Sequence, residues 1–264
     1  MATLRSSMER SDPMREFPRI DPWRKTAGRI GLAVIGAAGL TASGAAAQDR
    51  PKHMILAGIS SATVAPGGLA FASLSGTNNA ANDKTDGSLA LGFGVGSAED
   101  GVGLQFTAQI TSLTDSFGDS GFIAVKASRR IGGDIPLYVG LQVDHLLNWG
   151  DADDVDVSGK LSLTYFTAFT AGGQSFPLML TVGGGNKISD LGQEPGFYAG
   201  IGVGLTEHIG TSLAYSGDYF ELGLGVKASD NLLLTATLED VFDQEDEQRV
   251  NFSVTYTWRN MFGG

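Results

Sequence analysis

Val250-Asn-Phe252-Ser-Val254-Thr-Tyr256-Thr-Trp258-Arg259 alternates apolar and polar side chains for ten residues without a break. Successive side chains of an extended strand point to opposite faces. This period of two therefore puts Val250, Phe252, Val254, Tyr256 and Trp258 on one face and Asn251, Ser253, Thr255, Thr257 and Arg259 on the other. The apolar face ends in Tyr and Trp, the residues that favour a membrane–water interface. The same alternation recurs upstream to about residue 67. It predicts an all-β fold, a transmembrane antiparallel up-and-down β-barrel of about twelve strands within a range of 10–14.

The totals agree with that reading. The chain has 264 residues, 38 glycines and no cysteine, with a mean hydropathy of +0.03. A helical membrane protein would be far more apolar, whereas a barrel turns only alternate residues to lipid. Without cysteine there are no disulfides, thiolate metal sites or cysteine nucleophiles. The net charge is −11, and it becomes −14 without residues 1–47, which hold seven Lys/Arg and four Asp/Glu. A nucleic-acid partner needs a basic footprint, so none is expected.

The N-terminus reads as an address. Arg24, Lys25 and Arg29 precede the apolar run Ile30-Gly-Leu-Ala-Val-Ile-Gly-Ala-Ala-Gly-Leu40, and a small-residue stretch ends at Ala45-Ala46-Ala47. A basic segment, a short apolar segment and an A-x-A site make a cleaved signal peptide. The apolar run is shorter than the ~20 residues a membrane helix needs. The domain reading is signal peptide over 1–47, an extended periplasmic leader without period over 48–66, and barrel over 67–264. Met14 is an alternative start to Met1.

Twelve strand-like runs follow: 67–75, 87–96, 102–113, 121–131, 136–149, 158–171, 177–186, 196–205, 210–216, 219–228, 232–242 and 248–258. An even number returns the C-terminus to the side on which the barrel began. The odd-numbered links (77–86, 114–120, 150–157, 187–195, 243–247) are longer and more acidic than the even-numbered ones (97–101, 132–135, 172–176, 206–209, 229–231). Barrels carry longer loops outside and shorter turns at the periplasm. The ninth link, at Gly217-Asp218, is short for an outer loop. Leu222, Leu224 and Val226 oppose Glu221, Gly223, Gly225 and Lys227, so glycine falls on the face away from lipid. Such small inward residues would permit strong coiling or leave room for water. A soluble β-barrel or sandwich would show the same alternation with the apolar face inside. The export signal, aromatics near strand ends (Tyr138, Trp149, Tyr165, Tyr256, Trp258) and a polar face of Gly, Ser and Thr favour the membrane.

On the stretch Asp86-Gly-Ser-Leu-Ala-Leu-Gly-Phe-Gly-Val-Gly, with Gly150-Asp-Ala-Asp-Asp further on, the chain resembles small porin-like outer-membrane β-barrel proteins of Gram-negative bacteria over roughly residues 60–258. The resemblance implies a cell outer membrane location. It also implies contact with outer-membrane lipid and lipopolysaccharide, and handling by the barrel-assembly machinery. That machinery reads a terminal strand ending in an aromatic; here Trp258 and Phe262 are followed by Gly263-Gly264.

Chemistry is sparse. Inward parity predicts Lys126, Arg130, Asp144, Lys160, Glu221, Lys227 and Glu239 as lumen-lining residues. They read either as a selectivity lining for small solutes or ions or as salt bridges that fill a narrow barrel. Three histidines are too few and too scattered for a catalytic constellation: His53 falls in the leader, His208 in a short turn, and His145 shares the parity of Val143 and should face lipid or interface. No hydrolase or phosphate-binding motif occurs, and no enzyme activity or cofactor is expected. Asp151, Asp153, Asp154 and Asp156 have oxygen ligands for Ca²⁺ or Mg²⁺, but the spacing lacks the Gly and Glu of an EF-hand and reads better as a solvated loop. The functional expectation is a narrow passive channel or a structural barrel. The alternatives are a surface interaction or adhesion protein using acidic extracellular loops, and an embedded outer-membrane hydrolase.

Cleavage after Ala47 should leave Gln48 as the mature N-terminus. Edman sequencing of protein extracted from the outer membrane checks this, and retention of residues 20–40 would refute it.

Overall fold

A computed structural model describes residues 51–79, 84–111, 113, 117–245 and 248–261. The signal-peptide region and Phe262 lie outside the described residues. Twelve strands are present: β1 (Ala70–Asn79), β2 (Lys84–Gly96), β3 (Gly103–Ile110), β4 (Gly121–Arg130), β5 (Leu137–Trp149), β6 (Ser158–Ala171), β7 (Gln174–Ser189), β8 (Glu194–Gly204), β9 (Ile209–Tyr215), β10 (Phe220–Lys227), β11 (Leu232–Glu239) and β12 (Arg249–Trp258). Each pairs antiparallel with its chain neighbours, and β12 closes on β1 with Ala70 opposite Trp258 and Asn78 opposite Val250. Closure removes every sheet edge, so the main-chain donors and acceptors of the wall are met within the wall.

The faces sort as the alternation requires. Leu74, Leu91, Leu141, Leu161, Val182, Phe197, Leu222, Leu224, Phe252 and Val254 are exposed on the outside. Ser73, Ser128, Ser162, Thr164, Thr181 and Thr255 are buried on the inside. Leu224 is 47% exposed and Thr164 is 0% exposed. A water-soluble barrel would reverse those two values, so this exterior is built for hydrocarbon. Aromatic pairs mark both rims. Phe93 stacks on Phe106 at 5.3 Å, and Tyr256 meets Trp258 edge-on at 4.8 Å, at the short-turn end. Phe197, Tyr215, Phe220 and Phe242 form a chain of contacts at the long-loop end. Two girdles of this kind are what an apolar band needs at its two interfaces. Tyr138 departs from the expected belt: it points inward, 3% exposed, and its hydroxyl bonds Glu99.

The strands lengthen where the sequence suggested loops. β1 and β2 pair from Ala70–Phe93 out to Asn79–Lys84, so most of the expected 77–86 loop is ladder. β7 runs on to Ser189, and the remaining turn carries Asp190 and Leu191 at positive φ. The short ninth link is tied to this turn: the Asp218 carboxylate accepts N–H bonds from Asp190 (2.8 Å) and Leu191 (2.7 Å).

Residues 51–66, expected as an extended periplasmic leader, run inside the barrel instead. His53 N–H donates to Thr206 O at the short-turn end, and the chain crosses the lumen before Gly67 N–H donates to Gly96 O at the same end. Leu56, Ile59, Ser61 and Ala62 are almost completely buried. The inward glycines make this possible. A Cβ at Gly202 would lie 2.0 Å from Ile55 O, and one at Gly140 would lie 2.7 Å from Ala62 Cα. The lumen-facing glycines leave room for polypeptide there, not for a water column.

Arginine at Leu224 should cost about 2–4 kcal/mol if the residue lies at the bilayer midplane. Urea titration of the refolded protein in vesicles measures it. An unchanged midpoint would mean that this face does not meet lipid.

Candidate lumen site

The inner surface is organised by polar groups from opposite sides of the barrel. β4, β5 and β6 bring Lys126, Gln142, Asp144 and Lys160 together across neighbouring strands. Lys126 Nζ donates to Ser60 Oγ (3.2 Å), Ser60 Oγ donates to Gln142 Oε1 (2.7 Å), and Gln142 Nε2 donates to Asp144 Oδ1 (2.7 Å). Lys160 Nζ meets Asp144 Oδ2 at 3.1 Å from the other side. Asp144 is 1% exposed and Lys126 5%. A charge so deeply buried is tolerated only with partners, and here each has them.

A second cluster sits at the long-loop end of β10–β12. Arg249 Nε bonds Glu239 Oε2, Arg249 Nη2 donates to the Tyr219 hydroxyl (3.2 Å), and that hydroxyl donates to Glu239 (3.4 Å). Glu221 projects from the same wall, 4% exposed. Its Oε2 has no hydrogen-bond partner among the described residues and lies where a Cβ on Gly58 would sit, 1.6 Å away. Gly58 has φ +86°, so both its backbone and its neighbour require glycine.

The seven residues expected in the lumen thus divide. Lys126, Asp144, Lys160, Glu221 and Glu239 project inward along the wall. Arg130 and Lys227 sit at the short-turn rim instead, where Arg130 pairs with Glu99 at 3.0 Å and Lys227 with Asp230 at 2.7 Å. Both strands end there, and each cation reaches a carboxylate in a turn. The Lys227 ammonium holds the exposed Asp230 carboxyl below its usual range. Pro51, Glu207, His208, Lys227, Ser229 and Asp230 line a cavity of about 440 Å³ beside these turns.

Arg249 and Tyr219 escaped the sequence reading. Stepping the β12 alternation back two residues from Asn251 would have placed Arg249 inward, and stepping back two from Glu221 in the expected run 219–228 would have placed Tyr219 inward. His145 also differs from expectation. The β4–β5 register shifts between Ile123 and Val125, His145 takes φ 61°, and its ring stacks on inward-facing Phe122 at 3.9 Å. The bulge inserts two residues in β5, so parity is kept on either side of it (Val143 opposite Val125, Leu147 opposite Ile123) and the alternation is lost only within it, where His145 lies. His145 Nδ1 also contacts Asn148 Oδ1 at 3.2 Å. Asp151, Asp153, Asp154 and Asp156 are exposed around a single 3₁₀ turn (Gly150–Ala152), and Asp156 pairs with Lys187 at 3.2 Å. Among the described residues no group of three or more acidic or histidine side chains is arranged to hold a metal.

No protein-family model matches this chain, and no curated protein matches it. Solved structures do. It is similar to the outer membrane protein Omp33 of Acinetobacter baumannii, at 8% identity and a TM-score of 0.45, over 72% of this chain and 97% of that one. It is similar to the outer membrane channel DcaP of the same organism, at 13% identity and a TM-score of 0.23, over 67% and 63%. A bacterial polysaccharide outer membrane secretin matches at 11% identity and a TM-score of 0.29, over 73% and 99%.

Replacing Arg249 with Met strands Glu239 beside Glu221 and should destabilise the barrel by about 3–5 kcal/mol. The double variant R249M/E239L should lose less, because no buried charge is left alone. Unfolding midpoints in vesicles compare the two.

Proposed function

We propose that this protein is a narrow passive channel for ions or small solutes, held in the outer membrane of a Gram-negative cell. The observation that carries the reading is the contrast between an apolar exterior and an interior of Ser, Thr, Gln and charged groups. A barrel that only filled space could pack its inside with apolar side chains. This one keeps groups there that water and ions can replace as partners. The export signal and the two aromatic girdles support the membrane assignment, with outer-membrane lipid and lipopolysaccharide as the surroundings and the barrel-assembly machinery as the route in. No residue is assigned a catalytic role.

Three cations (Lys126, Lys160, Arg249) face three anions (Asp144, Glu221, Glu239) inside the wall. Such a balanced lining gives weak selectivity. Neutralising Lys126 leaves an excess negative charge in a confined lumen, which lowers the barrier for cations.

A second reading, a surface interaction protein, is favoured by the exposed carboxylates of Asp151, Asp153 and Asp154 at the long-loop end. Its signature would be surface binding that is lost when residues 150–157 are replaced by a short turn.

Single-channel recording of the refolded protein tests the channel. Small unitary currents are expected, and K126Q should move the reversal potential in a salt gradient toward cation selectivity. R130Q should move it less, since Arg130 is at the rim on Glu99. A wild type that never conducts would remove the channel reading and leave the interaction protein.

A further inference from the structure

The segment inside the barrel lies on a surface shaped for it. Gly140, Gly200, Gly202, Gly210 and Gly223 come from five different strand positions, and a Cβ on any of them would fall within 3 Å of residues 53–62. Glycine weakens a strand interior, so its repetition along one path marks close approach by another chain. Beside the glycines, wall side chains receive the main chain of the segment. Ala57 N–H donates to Ser212 Oγ (3.1 Å), Ala62 N–H to Thr164 Oγ1 (2.7 Å), and Ala65 N–H to Gln105 Oε1 (2.8 Å). These contacts read a backbone, and at Ala57 against Gly223 and Ala62 against Gly140 they leave room only for a small side chain. The ligand class they fit is an extended, small-residue polypeptide.

The attachment is also separable from the wall. Among the described residues, 53–65 make one main-chain bond to the wall, His53 N–H to Thr206 O; the other polar attachments are through wall side chains. Those side chains would accept water equally well. The segment enters and leaves at the same end, at Thr206 and Gly96, so it can be drawn out without threading through the barrel. Its middle is held by Leu56 and Ile59 against Met179, Ile188 and Tyr198, and by the Ser60 hydroxyl between Lys126 and Gln142.

We propose that the inner wall is a binding track for an extended small-residue polypeptide, that residues 53–65 fill it in cis, and that their withdrawal toward the short-turn end opens the channel. This rests on the channel reading above.

The cysteine-free chain offers a clean test. In A57C/S212C, a disulfide or a short thiol-reactive cross-linker joins the segment to the wall, and mass spectrometry verifies the bond. Open probability in bilayers should fall at least tenfold on cross-linking and return on reduction of the disulfide. Equal currents in the two states would overturn the gating. A chain lacking residues 51–66, checked for folding by circular dichroism, should show a unitary conductance at least threefold larger. A fluorescently labelled synthetic peptide of residues 51–67 should bind this shortened barrel and block it. The same peptide carrying Trp at positions 57 and 62 should do neither. Equal binding of the two peptides, or of neither, would overturn the track. Specific binding to a shortened barrel that carries no current would keep the track but sink the channel reading on which the gating rests. If the shortened chain does not fold, the cysteine pair in the full chain decides.

Discussion

In the hydrocarbon layer no water competes for a peptide N–H or C=O, and each unmet group costs several kcal/mol. A sheet can enter that layer only if its last strand finds its first. Here β12 and β1 pair over nine positions, from Ala70–Trp258 to Asn78–Val250, and every other feature presupposes that seam. Closure turns a two-faced sheet into an inside and an outside. Period-two alternation then assigns apolar side chains such as Leu74, Leu161 and Leu224 to lipid and small or polar ones such as Ser73, Ser162 and Gly223 to the lumen.

Closure also creates a problem that the wall alone does not solve. A twelve-stranded barrel encloses more space than the inward Gly, Ser and Thr side chains fill. Residues 51–66 occupy part of it, and the polar groups on both sides divide the work of satisfying one another. Ser60 links Lys126 to Gln142, which holds Asp144, which holds Lys160. The charges are tolerated in the interior because this chain of bonds is continuous from one wall to the segment and back. The alternative readings of the inward charges, salt-bridged filling or selectivity lining, are therefore not exclusive. The same pairs that satisfy one another's charge inside the barrel also line its inner wall.

Most of the wall was legible because its physics is local. A residue's face in a strand depends only on its parity, so Leu222, Leu224, Glu221 and Glu239 were assigned from the chain alone, as was the twelve-strand count. The misses fall where locality fails. His145 lies in a bulge, inside which the strand alternation is locally lost. Arg130 and Lys227 have the right parity, but they sit at strand ends, where a turn carboxylate is nearer than the lumen. The extent of β1, β2 and β7 was missed because polar residues can continue a ladder when their partners across the strand continue it too.

The largest difference concerns residues 51–66. Their sequence has no period, because they form no regular ladder and bury side chains on every side; a segment inside a barrel has no solvent face to alternate against. What filled the lumen was therefore invisible in the segment itself, and only the glycines of β5, β8, β9 and β10 hinted that something approached them. Hydropathy at alternate positions was enough to read the strands and which residues share a face, because parity is local, and the export signal with the aromatic strand ends pointed that alternation toward a membrane wall rather than a soluble sheet. The contents of the lumen and the pairing of its charges emerge only in the closed barrel, since they depend on which residues distant in the chain share one enclosed space.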